Sequence, residues 1–77
     1  MIVFKIKLQM DLKAARESRK ITLAVVASET DIALSSLKKM SGRTPYNASL
    51  NVVESLCRYF QCQPGDLIEY VEALDTG

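Results

Sequence analysis

The chain has no histidine, and only two cysteines, three glycines and two prolines among its 77 residues. Without histidine there is no Ser-His or Cys-His pair to activate a nucleophile. General acid-base work would fall to carboxylates or lysines, in a pocket that so short a chain can hardly enclose. Cys57 and Cys62 cannot by themselves complete a four-ligand zinc site. The few glycines form no phosphate-cradling loop. No uninterrupted apolar run reaches the ~18 residues of a membrane span, and the start Met1-Ile2-Val3-Phe4-Lys5 lacks the apolar region and cleavage site of a signal peptide. These absences predict a cytoplasmic protein that is not an enzyme, holds no metal or cofactor, keeps off membranes and has no evident small-molecule ligand.

What is present is the composition of a packed globule, 48% apolar and 25% charged. That balance argues against disorder. The length predicts one domain over residues 1–77. Only about 60% of the unfolded surface can be buried at this size, so extra burial from a partner subunit would help. Charge is nearly balanced overall but not along the chain. Residues 1–43 hold nine Lys/Arg and four Asp/Glu, for a net of +5, whereas residues 44–77 hold Arg58 against five acids, for −4. Such polarity can orient a protein on a polyanion with its acidic half turned away. Two solvated faces would show the same pattern.

Apolar spacing divides the chain into short elements. Ile2, Phe4, Ile6 and Leu8 alternate with polar residues, which predicts a strand over residues 2–8 within an N-terminal arm, 1–10. Asp11 is the expected cap of a helix running to about Arg19, with Leu12, Ala15 and Ser18 inward and Arg16, Arg19 and Lys20 outward. Thr22 caps the next helix, in which Leu23, Val26 and Ala27 form an apolar stripe. A turn near residues 30–33 leads to a helix over 34–41 with Leu37 and Met40 on one face. Gly42 closes it in a left-handed conformation. Asn51 is the expected cap of a helix over 52–60 whose core face is Val53, Leu56, Cys57 and Phe60. Asp66 caps or turns the chain after Pro64-Gly65, and residues 67–71 fit either a helical turn or a strand.

The unit from Thr22 to Gly42 is a helix, a tight turn and a second short helix bearing hydroxyls and lysines, the layout of a helix-turn-helix. Leu12-Lys13, Ile21-Thr22, Val26-Ala27, Ile32, Leu37 and Gly42 resemble the signature positions of the Cro- and phage-repressor-like regulators, also called the xenobiotic-response-element type. The run from Val53 to Tyr70, with its Cys57, Cys62-Gln63-Pro64-Gly65-Asp66-Leu67, is similar to the closing stretch of small stand-alone bacterial members. The resemblance covers about residues 12–72. It implies a mainly α fold, a five-helix repressor-like bundle; the alternation at the N-terminus adds a short strand to it, which the C-terminal segment can pair as a two-stranded ribbon. Departures from the pattern are Asp31 where the turn usually has glycine, Ala33 where Ser or Thr usually caps the recognition helix, Leu34 in place of a polar base reader, and a spacing from Leu37 to Gly42 one residue short.

Carried over residue by residue, the resemblance implies sequence-specific binding of double-stranded DNA by a small transcriptional regulator, with a recognition helix over about 33–41. The base-facing residues are Leu34, Ser35 and Lys39. Backbone contacts come from Lys20, Ser36, Lys38 and Arg43. The rival expectation is a protein-interaction module that keeps the fold but has lost DNA contact, favoured by apolar Val25, Ala33 and Leu34 where DNA binders prefer polar groups. Cys57 and Cys62 are expected to be reduced and packed, and Tyr59 and Tyr70 half-buried. The unpaired apolar strand predicts either the intramolecular ribbon or a homodimer, with the strand in or beside its interface.

Overall fold

The computed structural model describes residues 1–42 and 46–72. Their elements are β1 (Ile2–Phe4), α1 (Ile6–Glu17), α2 (Leu23–Thr30), α3 (Leu34–Ser41), α4 (Leu50–Phe60), α5 (Pro64–Leu67) and β2 (Ile68–Tyr70). The two strands pair antiparallel, with Ile2 opposite Tyr70, Val3 opposite Glu69 and Phe4 opposite Ile68. The ribbon is therefore made within the chain, the first of the two covers that the apolar strand left open. Lys5 N–H, donating to Leu67 O at 2.6 Å, pins the start of α1 to the end of α5.

One core holds the helices together. Ile6, Val26, Leu37, Met40, Leu56, Phe60 and Leu67 are buried, one or two from each helix, with Ile21 and Val53 at its margin. Cys57, Cys62, Phe4 and Ile68 pack around it, half-buried. Tyr70 is 70% exposed, against the expectation of half-burial.

The N-terminal reading needs correction. The strand ends at Phe4, and Ile6 opens a helix of twelve residues in which the expected cap, Asp11, lies mid-helix. Leu8 and Leu12 are about half exposed, at 50% and 46%, and Ala15 and Ser18 are also exposed. The inward positions are Ile6, Gln9 and Lys13. That is helical spacing, i, i+3 and i+7, but two of the three residues are polar, so an apolar-inward rule turns the helix the wrong way. Alternation at Ile2, Phe4, Ile6 and Leu8 then mimics a longer strand.

Polar stripe residues of α1 reach carbonyls that the ends of α4 and α5 leave unbonded. Lys5 Nζ donates to Gly65 O (3.2 Å), Gln9 Nε2 to Asp66 O (3.0 Å), Lys13 Nζ to Tyr59 O (3.1 Å) and Arg16 Nη2 to Phe60 O (2.9 Å). Helix C-terminal carbonyls lack intrahelical donors and carry partial negative charge, which is why cationic donors suit them. Long stems bury along the core while their heads meet these acceptors, so buried Gln9 and Lys13 are satisfied.

Helix ends follow local chemistry. Thr22 caps α2 as expected, its hydroxyl accepting from Val25 N–H at 3.2 Å. The cap of α4 is Ser49, accepting from Val52 N–H at 3.2 Å; Asn51 lies two residues too late, inside the helix. Asp66 lies inside α5 instead of capping it, and its Oδ2 accepts from the N–H of Gln63, the cap residue, at 3.1 Å. Gly42 ends α3 in extended backbone (φ −82°, ψ −179°), not left-handed, so glycine is not required there. The left-handed caps are Ser18, Asp31 and Gln61, none of them glycine. A side chain in that region costs roughly 1–2 kcal/mol. Gln61→Gly is therefore expected to raise stability by about 1 kcal/mol, read as a rise of about 4–8 °C in thermal midpoint. An unchanged or lower midpoint would show that the Gln61 side chain does more than fill a cap.

Candidate nucleic-acid interface

The turn between α2 and α3 is built from three short-range devices. Asp31 occupies the left-handed region (φ 61°, ψ 19°), and its N–H donates to Ala27 O. Thr30 Oγ1 donates to Val26 O at 2.7 Å and accepts from Ile32 N–H at 3.3 Å, which fastens both sides of the turn. Ile32 packs on the core. Ala33 follows as a cap without a side-chain bond, as its methyl dictates.

From there α3 presents a divided surface. Leu37 and Met40 go into the core. Ser35, Lys38 and Lys39, at i, i+3 and i+4, are exposed on the outer side, and none of these side chains is bonded to another described residue. Leu34 and Ser36 are half-buried at the flanks of that face. Lys20 is exposed in the link before Thr22, on the approach to α2. Arg43 lies outside the described residues. Basic residues on the last turn complement the α3 C-terminus, so both lysines are placed without cost to the helix.

Charge asymmetry along the chain overstates the cations that are available. In the basic half, Lys5, Lys13 and Arg16 donate to carbonyls and Arg19 is committed to Glu17 and Glu29. Lys7, Lys20, Lys38 and Lys39 have no described bonding partner. Two of these four lysines lie on α3, whereas Glu54, Asp66, Glu69 and Glu72 are exposed in the later part of the chain.

A polar ring that spacing alone does not reveal locks α2 to its neighbours. Lys13 Nζ meets Glu17 at 2.6 Å and Glu17 meets Arg19 Nε at 2.7 Å. Arg19 then grips Glu29 with two bonds, at 2.8 and 3.0 Å. Tyr59 donates its hydroxyl to Glu29, and its ring lies under the Lys13 ammonium, 4.3 Å from the centroid. The fork from Arg19, then the Tyr59 hydroxyl, hold the Glu29 carboxyl down to about 2. Burial, followed by the hydrogen bond to Glu29, pushes the Tyr59 phenol up to about 12. Glu17 is lowered by its bond from Lys13 and then by Arg19. The ring joins α1, α2 and α4 behind the turn and leaves the outer face of α3 clear.

The model of the Cro/C1-type helix-turn-helix DNA-binding domain matches residues 11–73 of the chain. YozG of Bacillus subtilis (strain 168), an uncharacterised HTH-type transcriptional regulator, is 29% identical over 59 residues, 77% of this chain and 70% of that protein. No solved structure matches. The match spans α2, the Asp31 turn, α3 and the closing helices, and the chain belongs to the Cro/C1-type helix-turn-helix DNA-binding domain family.

Proposed function

We propose that the whole chain, residues 1–77, works as one domain of a transcriptional regulator that acts by occupying a duplex operator, in the cytoplasm and without catalysis. Membership in a DNA-binding domain family and the name of the Bacillus subtilis relative support the reading. The observation that carries it is the outer face of α3, where Ser35, Lys38 and Lys39 stand together without described partners. Residues 33–41 enter the major groove. Lys39 donates to guanine O6 or N7, Ser35 donates or accepts, and Leu34 packs on a thymine methyl. Lys20, Ser36, Lys38 and Arg43 hold phosphates, which supplies affinity without sequence information.

Two copies act together in this reading, because recognition helices about 34 Å apart reach successive major grooves. Exposed apolar residues near the N-terminus, Ile2 with its cross-strand neighbour Tyr70 and then Leu8 and Leu12, support a homodimer through or beside the ribbon. Sedimentation at high micromolar concentration should report a dimer, and Leu8→Glu with Leu12→Glu should report a monomer; a monomeric parent chain overturns this part of the reading.

Binding is tested by anisotropy on a random duplex pool over a salt series. Each phosphate contact contributes about −0.9 to the slope of log affinity against log salt, so Lys20, Lys38 and Arg43 predict about −3 per copy. Lys39→Ala should flatten base preference, and Lys38→Ala should weaken every sequence alike. Absence of binding to any duplex at low salt would turn the assignment to the protein-interaction module.

A further inference from the structure

Cys57 and Cys62 take no part in the α3 face or the polar ring. Cys57 lies in the last turn of α4 and Cys62 is the second residue past it. Gln61, left-handed at φ 55° and ψ 52°, turns the chain back so that its own N–H reaches Cys57 O. Cys62 N–H also donates to Cys57 O, at 3.0 Å. This closure brings the two residues at its ends close together, and helix-terminating turns with a left-handed residue commonly add a side-chain contact there. A direct amide-to-carbonyl bond between the two residues limits their Cα separation to about 7 Å, around the upper limit of disulfide spacing.

Both thiols are free and half-buried, and both line one open cavity with Glu54, Arg58, Gln61 and Asp66. A small solute therefore has access to two thiols that line the same opening and whose backbones are bonded to each other. Buried structural cysteines have neither the access nor the neighbour.

We propose that Cys57 and Cys62 form a dithiol modification site, which a low-molecular-weight disulfide oxidises to an internal disulfide. Cys57, as thiolate, attacks one sulfur of the incoming disulfide. A mixed disulfide forms, the small molecule's own S–S bond breaks, and one small thiolate leaves and takes up the proton that Cys57 gave to solvent. Cys62 then loses its proton and attacks Cys57 Sγ, forming the internal bond and expelling the second small thiol. Two protein thiols are oxidised and one disulfide is reduced to two thiols. Burial and then the Cys57 thiol push Cys62 up, which keeps it a thiol during the first step. The closed bond fastens the end of α4, whose Tyr59 and Phe60 carbonyls anchor Lys13 and Arg16 of α1.

The test treats the full chain with excess oxidised glutathione, alkylates what remains and reads intact mass. The expected product is a single chain lighter by about 2 Da, the two hydrogens lost, with neither cysteine alkylated. Its thermal midpoint should exceed that of the reduced chain by several degrees. In Cys62→Ser the first step should be trapped as one glutathione adduct on Cys57. Two alkylatable thiols in the treated parent chain, separate adducts on both cysteines, a disulfide between two chains, or no adduct in Cys62→Ser would each overturn the proposal. None of these readouts depends on DNA, so its failure is distinct from failure of the regulator reading.

Discussion

Replacing Leu37 with alanine is expected to cost about 2–5 kcal/mol of stability and to abolish duplex binding with it. Leu37 is fully buried, and with Met40 it is what α3 gives to the core. Eight residues are too few for a helix to hold itself in water, and Ala33 supplies no cap bond, so α3 depends on that packing. A chain of 77 residues has a total stability of roughly 4–12 kcal/mol, so one cavity of this size removes a large share of it. Lys38→Ala provides the contrast, because an exposed lysine without a described partner should leave stability within about 0.5 kcal/mol while weakening DNA binding. Urea unfolding followed by helical circular dichroism, run beside the anisotropy titration, separates the two. If Leu37→Ala unfolds at the parent midpoint, the core described around α3 is wrong.

How much of this was legible in the sequence depends on how local the governing chemistry is. Thr22 as a cap and the inward pair Leu37 and Met40 could be read because each follows from a residue's own side chain or from helical spacing over a few positions, whereas Asp31 in the left-handed turn and Ala33 in place of a capping residue were legible through the resemblance. The outer face of Ser35, Lys38 and Lys39 is the complement of that inward pair, so it was legible too, and the resemblance gave it a meaning. Cap choice within one turn was harder. Ser49 and Asn51 are both good cap residues, and it is the Ser49 hydroxyl that accepts from Val52 N–H; Leu50, the first helical residue, is exposed, so the core face does not mark the start.

What could not be read depends on partners distant in sequence. Gln9 and Lys13 point inward because carbonyls at Asp66 and Tyr59 await them, more than forty residues on. Arg19 misleads at shorter range: its charge counts toward a basic half in the sequence but is spent on Glu29, ten residues on, in the fold. A signal did exist in the spacing of Lys5, Gln9, Lys13 and Arg16, which puts four polar side chains on one stripe of a helix. Read as a solvent face, that stripe rotates α1 by about half a turn.

The orientation of α1 can be decided by a pair of neighbouring residues. Lys13→Met keeps the stem that lies along the core but removes the donor to Tyr59 O, the ion pair with Glu17 and the cation over the Tyr59 ring. A hydrogen bond from a charged donor is worth about 1.5–3 kcal/mol, and losing it leaves the carbonyl without its partner. Desolvating the ammonium is unfavourable, and relief of that cost offsets part of the loss. The balance is an expected loss of about 1–3 kcal/mol, since methionine replaces the packing but none of the bonding. Leu12→Gln, one residue away and about half exposed, should change stability by no more than about 0.5 kcal/mol when measured in dilute solution, where association between copies does not contribute. An apolar-inward reading of the helix predicts the opposite order, with Leu12 costly and Lys13 neutral. Urea midpoints of the two variants therefore report directly on which face of α1 meets α4, and a larger loss at Leu12 would reverse the polar docking described for this helix.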